Sequence, residues 1–444
     1  MTPVLYISVE LKVRDLDPRL LVAAEALKAG LHVIIGQQWA LSKNIFNVPQ
    51  GVFLFKTVNE IQATHMVDAK DAGHFVTASD EEVLACSSDY CFRSAMGPTA
   101  AKMLDRFYAQ GTHHGEIIED EFPELSGKIV TTGNPRIDLL SSWGRNLFSK
   151  DAQRIKNQFG SFILFNTNFG WVNSIWNASE DTKQILIRTG RLNLEDPESI
   201  ARYEETVNWE QANLDEIDKT ITWVANNITS HSIIIRPHPA EDQAFWSSRF
   251  QDHPRVSVIT EGSHIPWTIA ADLMVHTSCS TGMEAAVLGT PALSITPRPD
   301  ARQHMNLLSN KINVSVETWQ AAGEFLHGFL SAGGVASEMS ETAQSILSSS
   351  FKDFGAGSSA GNIIDDVTKL LGTDTCAKTS QFNWAPLPGH SWIQVDRRPE
   401  WKQKFIVEDE EIADRIGAMA NLVGLKKTIN LQRIDDSLYH IFPR

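Results

Sequence analysis

Short apolar segments that alternate with helical patterns constrain this chain more than any other feature of its sequence. Val4–Val9 is a compact apolar run, and the next such run spans residues 32–36. Between them, residues 20–27 carry leucines and alanines at helical spacing, and Gly30 then stops the pattern. Strands separated by helices in this way predict a parallel sheet covered on both faces. The sequence therefore predicts an α/β protein.

The alternation occurs twice along the chain, which predicts two sheet domains. Residues 1–150 form the first, residues 151–375 form the second, and residues 376–444 form a linker with a C-terminal extension. Ligands of such folds bind outside the carboxyl ends of the parallel strands, and two such domains make a cleft between those edges. We therefore expect function to reside in the polar residues that follow each strand.

Composition limits the classes of function that are open to the chain. Its 444 residues are 42% hydrophobic and 21% charged, as in an ordinary globular protein. A net charge of −15, from 39 basic and 54 acidic residues, argues against a general nucleic-acid binder. The four cysteines show neither disulfide nor metal spacing, which favours a reducing compartment. Without a leader-like N-terminus or a long apolar run, we expect a cytoplasmic protein, with peripheral association at the inner membrane left open.

Residues 275–295 combine a strand end, a polar loop, a helix and a second strand. The loop and the first helical turn contain the donor-site candidates His276, Thr277, Ser278, Ser280, Thr281 and Gly282. Small hydroxyl residues before a helix leave free N–H groups and the positive end of the helix dipole, which suit a phosphate or another anion. Alternatively, the hydroxyls of this loop only cap the helix. The position of the loop in the second sheet domain favours the anion site.

A rigid motif, Arg236-Pro-His-Pro239, follows the strand predicted at 232–235. The prolines stiffen the backbone, so the Arg236 and His238 side chains are oriented before a ligand arrives. A guanidinium and an imidazole suit a phosphate or a carboxylate. The alternative for His238 is a hydrogen-bonded loop histidine, but the polar loop that follows one strand later favours a ligand contact. The other strand ends of this domain add Asn166, Asn168 and Glu261 as donor-site candidates.

Polar residues also end the predicted strands of the first domain. We expect acceptor contacts from Arg14, Gln37 and Gln38, and acid, base or nucleophile chemistry from Glu10, Asp80, Glu81, Glu82 and, in the second domain, His238. The alternative for the acidic cluster is favourable charge at a helix N-terminus. Its place on the same sheet edge as Glu10 favours chemistry. The adjacent His113 and His114 would diverge on a regular element, so we predict no metal site.

Four motifs stand in a fixed order: Gly133-Asn-Pro-Arg-Ile-Asp138, Asn166-Thr-Asn-Phe-Gly170, Arg236-Pro-His-Pro239, and the run from His276 to Ala286. The last two resemble the donor-binding half of GT-B glycosyltransferases. The complete set more narrowly resembles the bacterial surface carbohydrate biosynthesis protein group, which is similar to the Kdo transferases of capsule and lipopolysaccharide assembly. The His-Pro pair is shared with GT-B enzymes that use CMP-activated acidic sugars. The resemblance covers residues 4–372, and the tail beyond residue 376 has no counterpart in it.

This resemblance implies a metal-independent Leloir-type transferase with two Rossmann-like domains that face each other across a cleft, the acceptor on the first and the nucleotide sugar on the second. It implies that His238 contacts the donor phosphate and that the hydroxyls of residues 278–281 cradle the phosphate or the sugar carboxylate. Glu284 would bind the ribose or, alternatively, is a buried carboxylate that caps the helix. The similar Kdo transferases retain configuration through a carboxylate nucleophile, for which Glu10 and residues 80–82 are the candidates here.

We therefore expect a glycosyltransferase that moves an acidic, CMP-activated sugar, such as Kdo or a related ulosonic acid, onto a surface polysaccharide or lipopolysaccharide. Its partners would be a nucleotide sugar and a glycan or lipid-linked glycan acceptor, without a cofactor, a metal or a nucleic acid. The alternatives are a CDP-glycerol-type glycerophosphotransferase, whose second histidine and Asp-Tyr-Ser signatures are not evident, a GT-B-fold UDP-sugar epimerase, and a non-catalytic binding protein.

Overall fold

A computed structural model describes residues 3–175, 182–188, 192–301, 307–334, 339–372, 405–435 and 437–443. The described chain divides into two compact units. The first contains residues up to 84, residues 89–147 and the described residues from 347 onward; the second contains residues 85–88 and 148–346. The predicted boundary near residue 150 lies close to this division. The second predicted boundary, at residue 375, is wrong, because the chain returns to the first unit at Leu347.

The N-terminal part of the first unit is a parallel sheet in which strands alternate with helices. Its strands are β1 (Val4–Val9), β2 (His32–Gln37), β3 (Val52–Phe55), β4 (Phe75–Ser79), β5 (Arg106–Ala109) and β6 (Ile129–Thr131). Its helices are α1 (Lys12–Lys28), α2 (Gln38–Ser42), α3 (Glu60–Asp71), α4 (Asp89–Ala95), α5 (Pro98–Met103), α6 (Thr112–Glu121) and α7 (Pro135–Leu140), with 3-10 turns at Ile45–Asn47, Pro123–Leu125 and Arg145–Phe148. The strand order β2-β1-β3-β4-β5-β6 reverses direction between β1 and β3.

The second unit is also an alternating α/β structure. Its strands are β7 (Phe162–Asn166), β8 (Ser232–Arg236), β9 (Val256–Val258), β10 (Leu273–His276), β11 (Ala292–Ile295) and β12 (Val314–Val316). Its helices are α8 (Ser149–Phe159), α9 (Thr182–Arg188), α10 (Pro197–Asn227), α11 (Gln243–Arg249), α12 (Ile265–Ala270), α13 (Ser280–Leu288), α14 (Leu308–Ile312) and α15 (Trp319–Ser331). All pairings are parallel in the order β12-β11-β10-β7-β8-β9, which is the strand order of a Rossmann fold with its switch point between β7 and β10.

Helix α10 carries the chain along the second sheet. The buried positions Leu214, Ile217, Ile221 and Val224 lie on one face, as the helical pattern of residues 207–226 predicts. The structure starts the helix ten residues earlier, because Asp196 accepts a hydrogen bond from the Glu198 N–H and Pro197 occupies the first turn. The polar, irregular pattern of residues 175–206 predicts an insertion with some helix, and the structure places residues 197–206 in α10, while residues 176–181 and 189–191 lie outside the described residues.

The returning segment completes the first unit. It contains α16 (Glu341–Ser350), which spans the boundary, then α17 (Ser359–Gly372), α18 (Asp409–Leu422), β13 (Ile429–Asp435) and β14 (Leu438–Pro443). Strand β14 pairs antiparallel with β2, and β13 pairs with β14, so the described first sheet has eight strands. Residue 36 must be glycine here, since a Cβ would collide with the Ser437 carbonyl oxygen. The linker was predicted to begin at residue 376, and its residues up to 404 lie outside the described residues.

Two sequence-based expectations concern the cysteines and the membrane. Cys86 and Cys91 are each disulfide-bonded, which the spacing of the four cysteines did not indicate; Cys279 is a buried free thiol, and Cys376 lies outside the described residues. Within the described residues, no helix is both long enough and apolar enough to span a membrane.

Candidate functional site

The central row of the second unit consists of the last residues of three adjacent strands. Asn166 of β7 pairs in register with Arg236 of β8 on one side and with His276 of β10 on the other. All three are buried. Because parallel strands bring their carboxyl ends to one edge, these three residues lie side by side at the carboxyl edge of the second sheet, beside its switch point.

Arg236 holds the loop that follows β9. Its guanidinium donates to the carbonyl oxygens of Glu261 (3.1 Å) and Gly262 (2.7 Å) and lies 5.3 Å from the Trp267 ring centroid. Burial lowers the pKa of Arg236 to about 10. The structure thus engages both Arg236 and the Glu261 backbone in protein contacts, while the Glu261 side chain is exposed.

His238 is the exposed member of the Arg-Pro-His-Pro motif, together with Pro239. Its Nδ1 accepts a hydrogen bond from the Ala240 N–H at 3.1 Å, so the neutral ring carries its proton on Nε2. Its backbone N–H donates to Glu241 Oε1 at 2.9 Å. The ring and the backbone are both oriented, and the Nε2–H is a hydrogen-bond donor suited to an anion.

Helix α13 begins at the switch point without a hydroxyl cap. Its N-cap residue is Cys279, and no side-chain hydrogen bond caps the helix. The N-cap position is thus occupied by a thiol residue and not by one of the loop hydroxyls that the capping interpretation requires. Ser280 is exposed and Thr281 is half-buried, with the Thr281 hydroxyl 2.6 Å from the Cys279 sulfur. The helix thus begins with an accessible hydroxyl at its positive end.

The loop before α13 is held by side chains from neighbouring elements. Buried Thr277 donates its hydroxyl to Oδ1 of half-buried Asn168 (3.0 Å), which joins the β10 and β7 loops across the switch point. Buried Ser278 has a positive φ of 47°, and its hydroxyl accepts from Asn310 Nδ2 at 3.0 Å. Both hydroxyls are committed to protein contacts, so they orient the loop.

His276 and Gly282 form the support beneath this loop. His276 is completely buried, and burial lowers its pKa to about 3. Asn313 Nδ2 donates to His276 Nε2 (3.2 Å) and to the Gly282 carbonyl (2.9 Å). A Cβ at residue 282 would collide with the imidazole. The structure therefore places these two predicted donor ligands inside the fold, where they seat α13 on β10.

Glu284 is also buried, and its carboxylate lies 2.8 Å from His264 Nε2. The sequence left two interpretations, a ribose ligand or a buried carboxylate that caps the helix; Glu284 is buried as the second requires, but the contact observed is with the His264 ring. His264 sits half-buried at the start of α12.

The first unit carries a charge cluster at the carboxyl ends of β1, β3 and β4. Lys56, only 1% exposed, contacts Glu10 (2.6 Å) and Glu82 (2.7 Å). Arg14 contacts Glu82 (3.2 Å) and Asp15 (2.6 Å). Burial opposes ionisation of Glu82, but the charges of Arg14 and Lys56 prevail and lower its pKa to about 2. Arg14, predicted to contact the acceptor, is thus bound by carboxylates of its own unit.

Asp80 differs from its neighbours in the same cluster. It is 4% exposed, its Oδ1 accepts from the Glu82 N–H (3.0 Å), and its Oδ2 has no hydrogen-bond partner among the described residues. Burial raises the pKa of Asp80 to about 7. Glu81 is buried 3.6 Å from Arg19. Asp80 is therefore the acid of this cluster whose protonation changes near neutral pH.

The other candidates of the first unit lie around the end of β2. Gln37 is buried, and its backbone N–H donates to the Ser437 carbonyl. Gln38 is half-buried, and its Oε1 has no hydrogen-bond partner among the described residues. His114 is buried against Phe92, whereas His113 is exposed beside Asp89. In the described ranges, no group of three or more His, Cys, Asp or Glu residues is arranged to hold a metal.

Several residues of these sites were missed from the sequence. Lys56 directly follows β3, so the strand-end rule that selected Glu10 could have found it. Glu241 stands two residues after the Arg-Pro-His-Pro motif, but its contacts depend on tertiary structure. Asn310 and Asn313 lie in and just after α14, and no strand end marks them.

Two Rossmann-like parallel-sheet units in one chain define the GT-B fold class, which confirms the predicted fold. Its solved neighbours include a variant of the wall teichoic acid polymerase TagF, with TM-score 0.51 and 11% identity over 83% of this chain and 89% of that one. They also include UDP-GlcNAc 2-epimerase from Neisseria meningitidis bound to UDP-GlcNAc, with TM-score 0.51 and 14% identity over 83% of this chain and 100% of that one. No protein-family model matches the sequence, and neither does any curated protein.

Proposed function

We propose that the chain is a glycosyltransferase that transfers a sugar from a nucleotide-activated donor to a surface-glycan acceptor. The observation that carries this proposal is the start of α13, which has no side-chain cap and lies at the switch point of a Rossmann-ordered sheet. The N-terminus of a helix at this position provides N–H donors and a positive dipole for a phosphate. The second unit is thus the donor side of the enzyme.

The residues around α13 divide into ligand contacts and supports. In this proposal Ser280 and the Nε2–H of His238 contact the donor phosphate, while Asn168 contacts the sugar or the nucleoside. Thr277, Ser278, His276 and Gly282 orient the loop from beneath. This division follows exposure, since Ser280 and His238 are exposed and the four supports are buried.

The donor we propose is a CMP-linked acidic sugar, such as Kdo or a related ulosonic acid, and the acceptor is a glycan or a lipid-linked glycan. The support for CMP is the His238-Pro239 pair, which resembles that of GT-B enzymes that use CMP-activated acidic sugars; the full Arg236-Pro-His-Pro239 motif also resembles that of CDP-glycerol-type transferases. An acidic sugar adds a carboxylate to the phosphate, which suits a site built from N–H and O–H donors. We place the reaction in the cytoplasm, with peripheral association at the inner membrane.

The first unit supplies acid–base chemistry in this proposal. Glu10 and Glu82 are held by Lys56, and Glu82 stays ionised at neutral pH. Asp80 shares the same edge and has a pKa near neutrality because it is buried. It is therefore suited to take a proton from an acceptor hydroxyl and release it later.

A second candidate function is UDP-sugar epimerisation. The observation that favours it is the fold similarity to an epimerase whose structure contains UDP-GlcNAc. A CDP-glycerol-type transferase is the third candidate, supported by the fold similarity to a teichoic acid polymerase. All three use a nucleotide-linked substrate, so the identity of the nucleotide separates them.

Thermal unfolding of the chain with CMP, CDP, UDP and GDP at equal concentration tests the proposal. A ligand that binds only the native state increases the free energy of unfolding, by about 2.7 kcal/mol at 100 times its Kd. The unfolding midpoint temperature rises as a result. We expect the largest increase with CMP. An increase with UDP alone would contradict a CMP donor and support the epimerase, and an increase with CDP alone would support the third candidate.

Replacing His238 with alanine tests the donor contact directly. Losing a hydrogen bond to a charged phosphate costs roughly 1.5–3 kcal/mol, so we expect CMP affinity to fall by about 10- to 100-fold. The unfolding midpoint without ligand should stay close to wild type, because the side chain is exposed. His327→Ala, at an exposed histidine of α15, is the matched control and should bind CMP normally. Unfolding of His238→Ala would show a structural role instead.

A further inference from the structure

We propose that Glu241 is a positioning residue that holds the β7 and β8 loops in register and thereby orients His238 toward the donor phosphate. This inference rests on the proposed function, because it assigns a task within the same donor site. Glu241 lies two residues after the Arg-Pro-His-Pro motif, on the loop between β8 and α11.

The carboxylate of Glu241 receives hydrogen bonds from both loops and from the core. Oε1 accepts from the Thr167 hydroxyl at 2.7 Å and from the His238 backbone N–H at 2.9 Å. Oε2 accepts from Trp246 Nε1 at 3.0 Å and from Asn173 Nδ2 at 3.4 Å. Thr167 and Asn173 belong to the loop after β7, and His238 belongs to the loop after β8. One side chain therefore joins both loops.

A carboxylate is the chemical group that this position requires. Glu241 is completely buried, and its carboxylate accepts hydrogen bonds from a hydroxyl, a peptide N–H, an indole and an amide. Burying a carboxylate is costly unless hydrogen bonds satisfy it. Donors approach both carboxylate oxygens. In a glutamine, the NH₂ group would replace one of these oxygens and would point at donors in either orientation of the amide. An apolar side chain would fill a buried position with a smaller desolvation penalty. The presence of a carboxylate therefore argues that its hydrogen bonds to the two loops are its role.

The consequence for His238 follows from its two hydrogen bonds. Glu241 fixes the backbone N–H of His238, and the Ala240 N–H fixes the ring through Nδ1. Glu241 also donates its own backbone N–H to the His238 carbonyl oxygen at 2.9 Å, which closes the turn. The Nε2–H direction is therefore set before a ligand binds, and pre-set donors bind an anion with less loss of conformational freedom.

The loop after β7 is anchored at its other end by a second buried carboxylate. Glu210 of α10 accepts from the N–H groups of Trp171 (2.8 Å) and Val172 (2.7 Å). The loop that carries Asn168 is thus tied down on both sides of that residue, by Glu241 at Thr167 and by Glu210 at Trp171. This arrangement is what a loop that must present a side chain at a fixed place requires.

A double-mutant cycle between Glu241 and His238 tests the inference, with calorimetric titration of the nucleotide that stabilises the wild-type chain most. We expect Glu241→Gln to weaken nucleotide binding at least 10-fold. Adding His238→Ala to Glu241→Gln should weaken binding less than threefold further, because the His238 ring is no longer oriented in the first variant. Additive losses would overturn the inference. Trp246→Phe is the matched control: it removes the indole donor from Oε2, so it should lower the unfolding midpoint but leave affinity within twofold. Equal weakening by Trp246→Phe would also overturn it.

Two further measurements keep the inference testable. If Glu241→Gln does not fold, adding Trp246→Phe removes the nearer of the two donors that oppose the new amide. The cycle is then repeated with Trp246→Phe as the reference in place of wild type. If no nucleotide stabilises the wild-type chain, the proposed function fails, and NMR of the His238 imidazole nitrogens then tests positioning alone. We expect one tautomer, protonated at Nε2, in the wild type and a mixture in Glu241→Gln. The same single tautomer in both would overturn the inference.

Discussion

At the scale of single residues, burial and charge give chemically similar side chains opposite properties. Asp80 and Glu82 lie two positions apart on one loop, yet burial raises the pKa of Asp80 to about 7, while the charges of Arg14 and Lys56 outweigh burial and lower that of Glu82 to about 2. Lys56 touches the Glu82 carboxylate, whereas Asp80 Oδ2 lacks a partner among the described residues. Two cations beside Glu82 and the burial of Asp80 therefore decide which acid of this cluster exchanges protons at neutral pH.

Replacing Asp80 with asparagine should stabilise the chain at high pH. The pKa of Asp80 rises from 3.8 to about 7 on folding, so the folded state holds the extra proton between these values and stability falls as pH rises from about 4 to about 7. Asparagine imitates the protonated acid, and we expect a gain of about 2–4 kcal/mol at pH 8 and little change at pH 4. Thermal unfolding across pH measures it.

Asp120→Asn, at an exposed acid of α6, is the control and should show no such pH-dependent gain. An Asp80→Asn variant that is less stable than wild type at pH 8 would show that the folded chain stabilises the ionised form.

The sequence predicted which residues end the strands, but not which of them face inward. His238 follows β8 and His276 is the last residue of β10, both next to polar residues, yet His238 is exposed and His276 is completely buried. The difference depends on Gly282, whose missing side chain leaves room for the His276 ring, and on Asn313, which bonds it. Neither effect is visible in local patterns, because both join residues that are distant or on different elements.

At the scale of elements, α13 depends on an unusually close approach to β10. Gly282 lies inside this helix, where glycine normally lowers stability. Its place is explained by the His276 ring, which occupies the space of a Cβ. Gly289 ends the helix with a left-handed φ of 82°, a conformation that glycine favours.

Gly282→Ala should therefore destabilise the second unit although alanine favours helices. We expect a loss of about 1–3 kcal/mol, because the Cβ must displace a buried ring. Gly417→Ala, in α18, is the matched control: nothing lies near its added Cβ, so it should gain about 0.5–1 kcal/mol. Chemical denaturation of both variants measures the difference. Increased stability of Gly282→Ala would show that the His276 ring moves away from the added Cβ without an energetic penalty.

At the scale of the whole molecule, the second unit is an insertion within the first. Alternating patterns predicted both sheets, and the strand-like pattern of residues 438–442 corresponds to β14. They did not predict that this strand adds to the first sheet, because β14 is six residues long and its partner β2 lies at the other end of the sequence. Short strands carry no information about which distant edge they pair with.

Ending the chain after Gly372 should weaken the first unit alone. The truncation removes β14, whose Tyr439 and Ile441 are completely buried, and it exposes the β2 edge. We expect amides of His32–Gln37 to lose protection from hydrogen exchange while those of Phe162–Asn166 keep it. Unchanged protection of β2 would show that the hairpin is not needed to stabilise the sheet.

The pairing of β2 with β14 also delays completion of the first sheet while the chain is synthesised on the ribosome. About 400 residues separate Gln37 from Leu438, so at about 5–20 residues per second the β2 edge waits on the order of 20–80 s for its partner. The second unit is translated entirely within that interval and can fold first. The nascent first sheet meanwhile exposes an apolar edge, so a growing chain depends on chaperones or on slow, dilute expression more than the finished fold does.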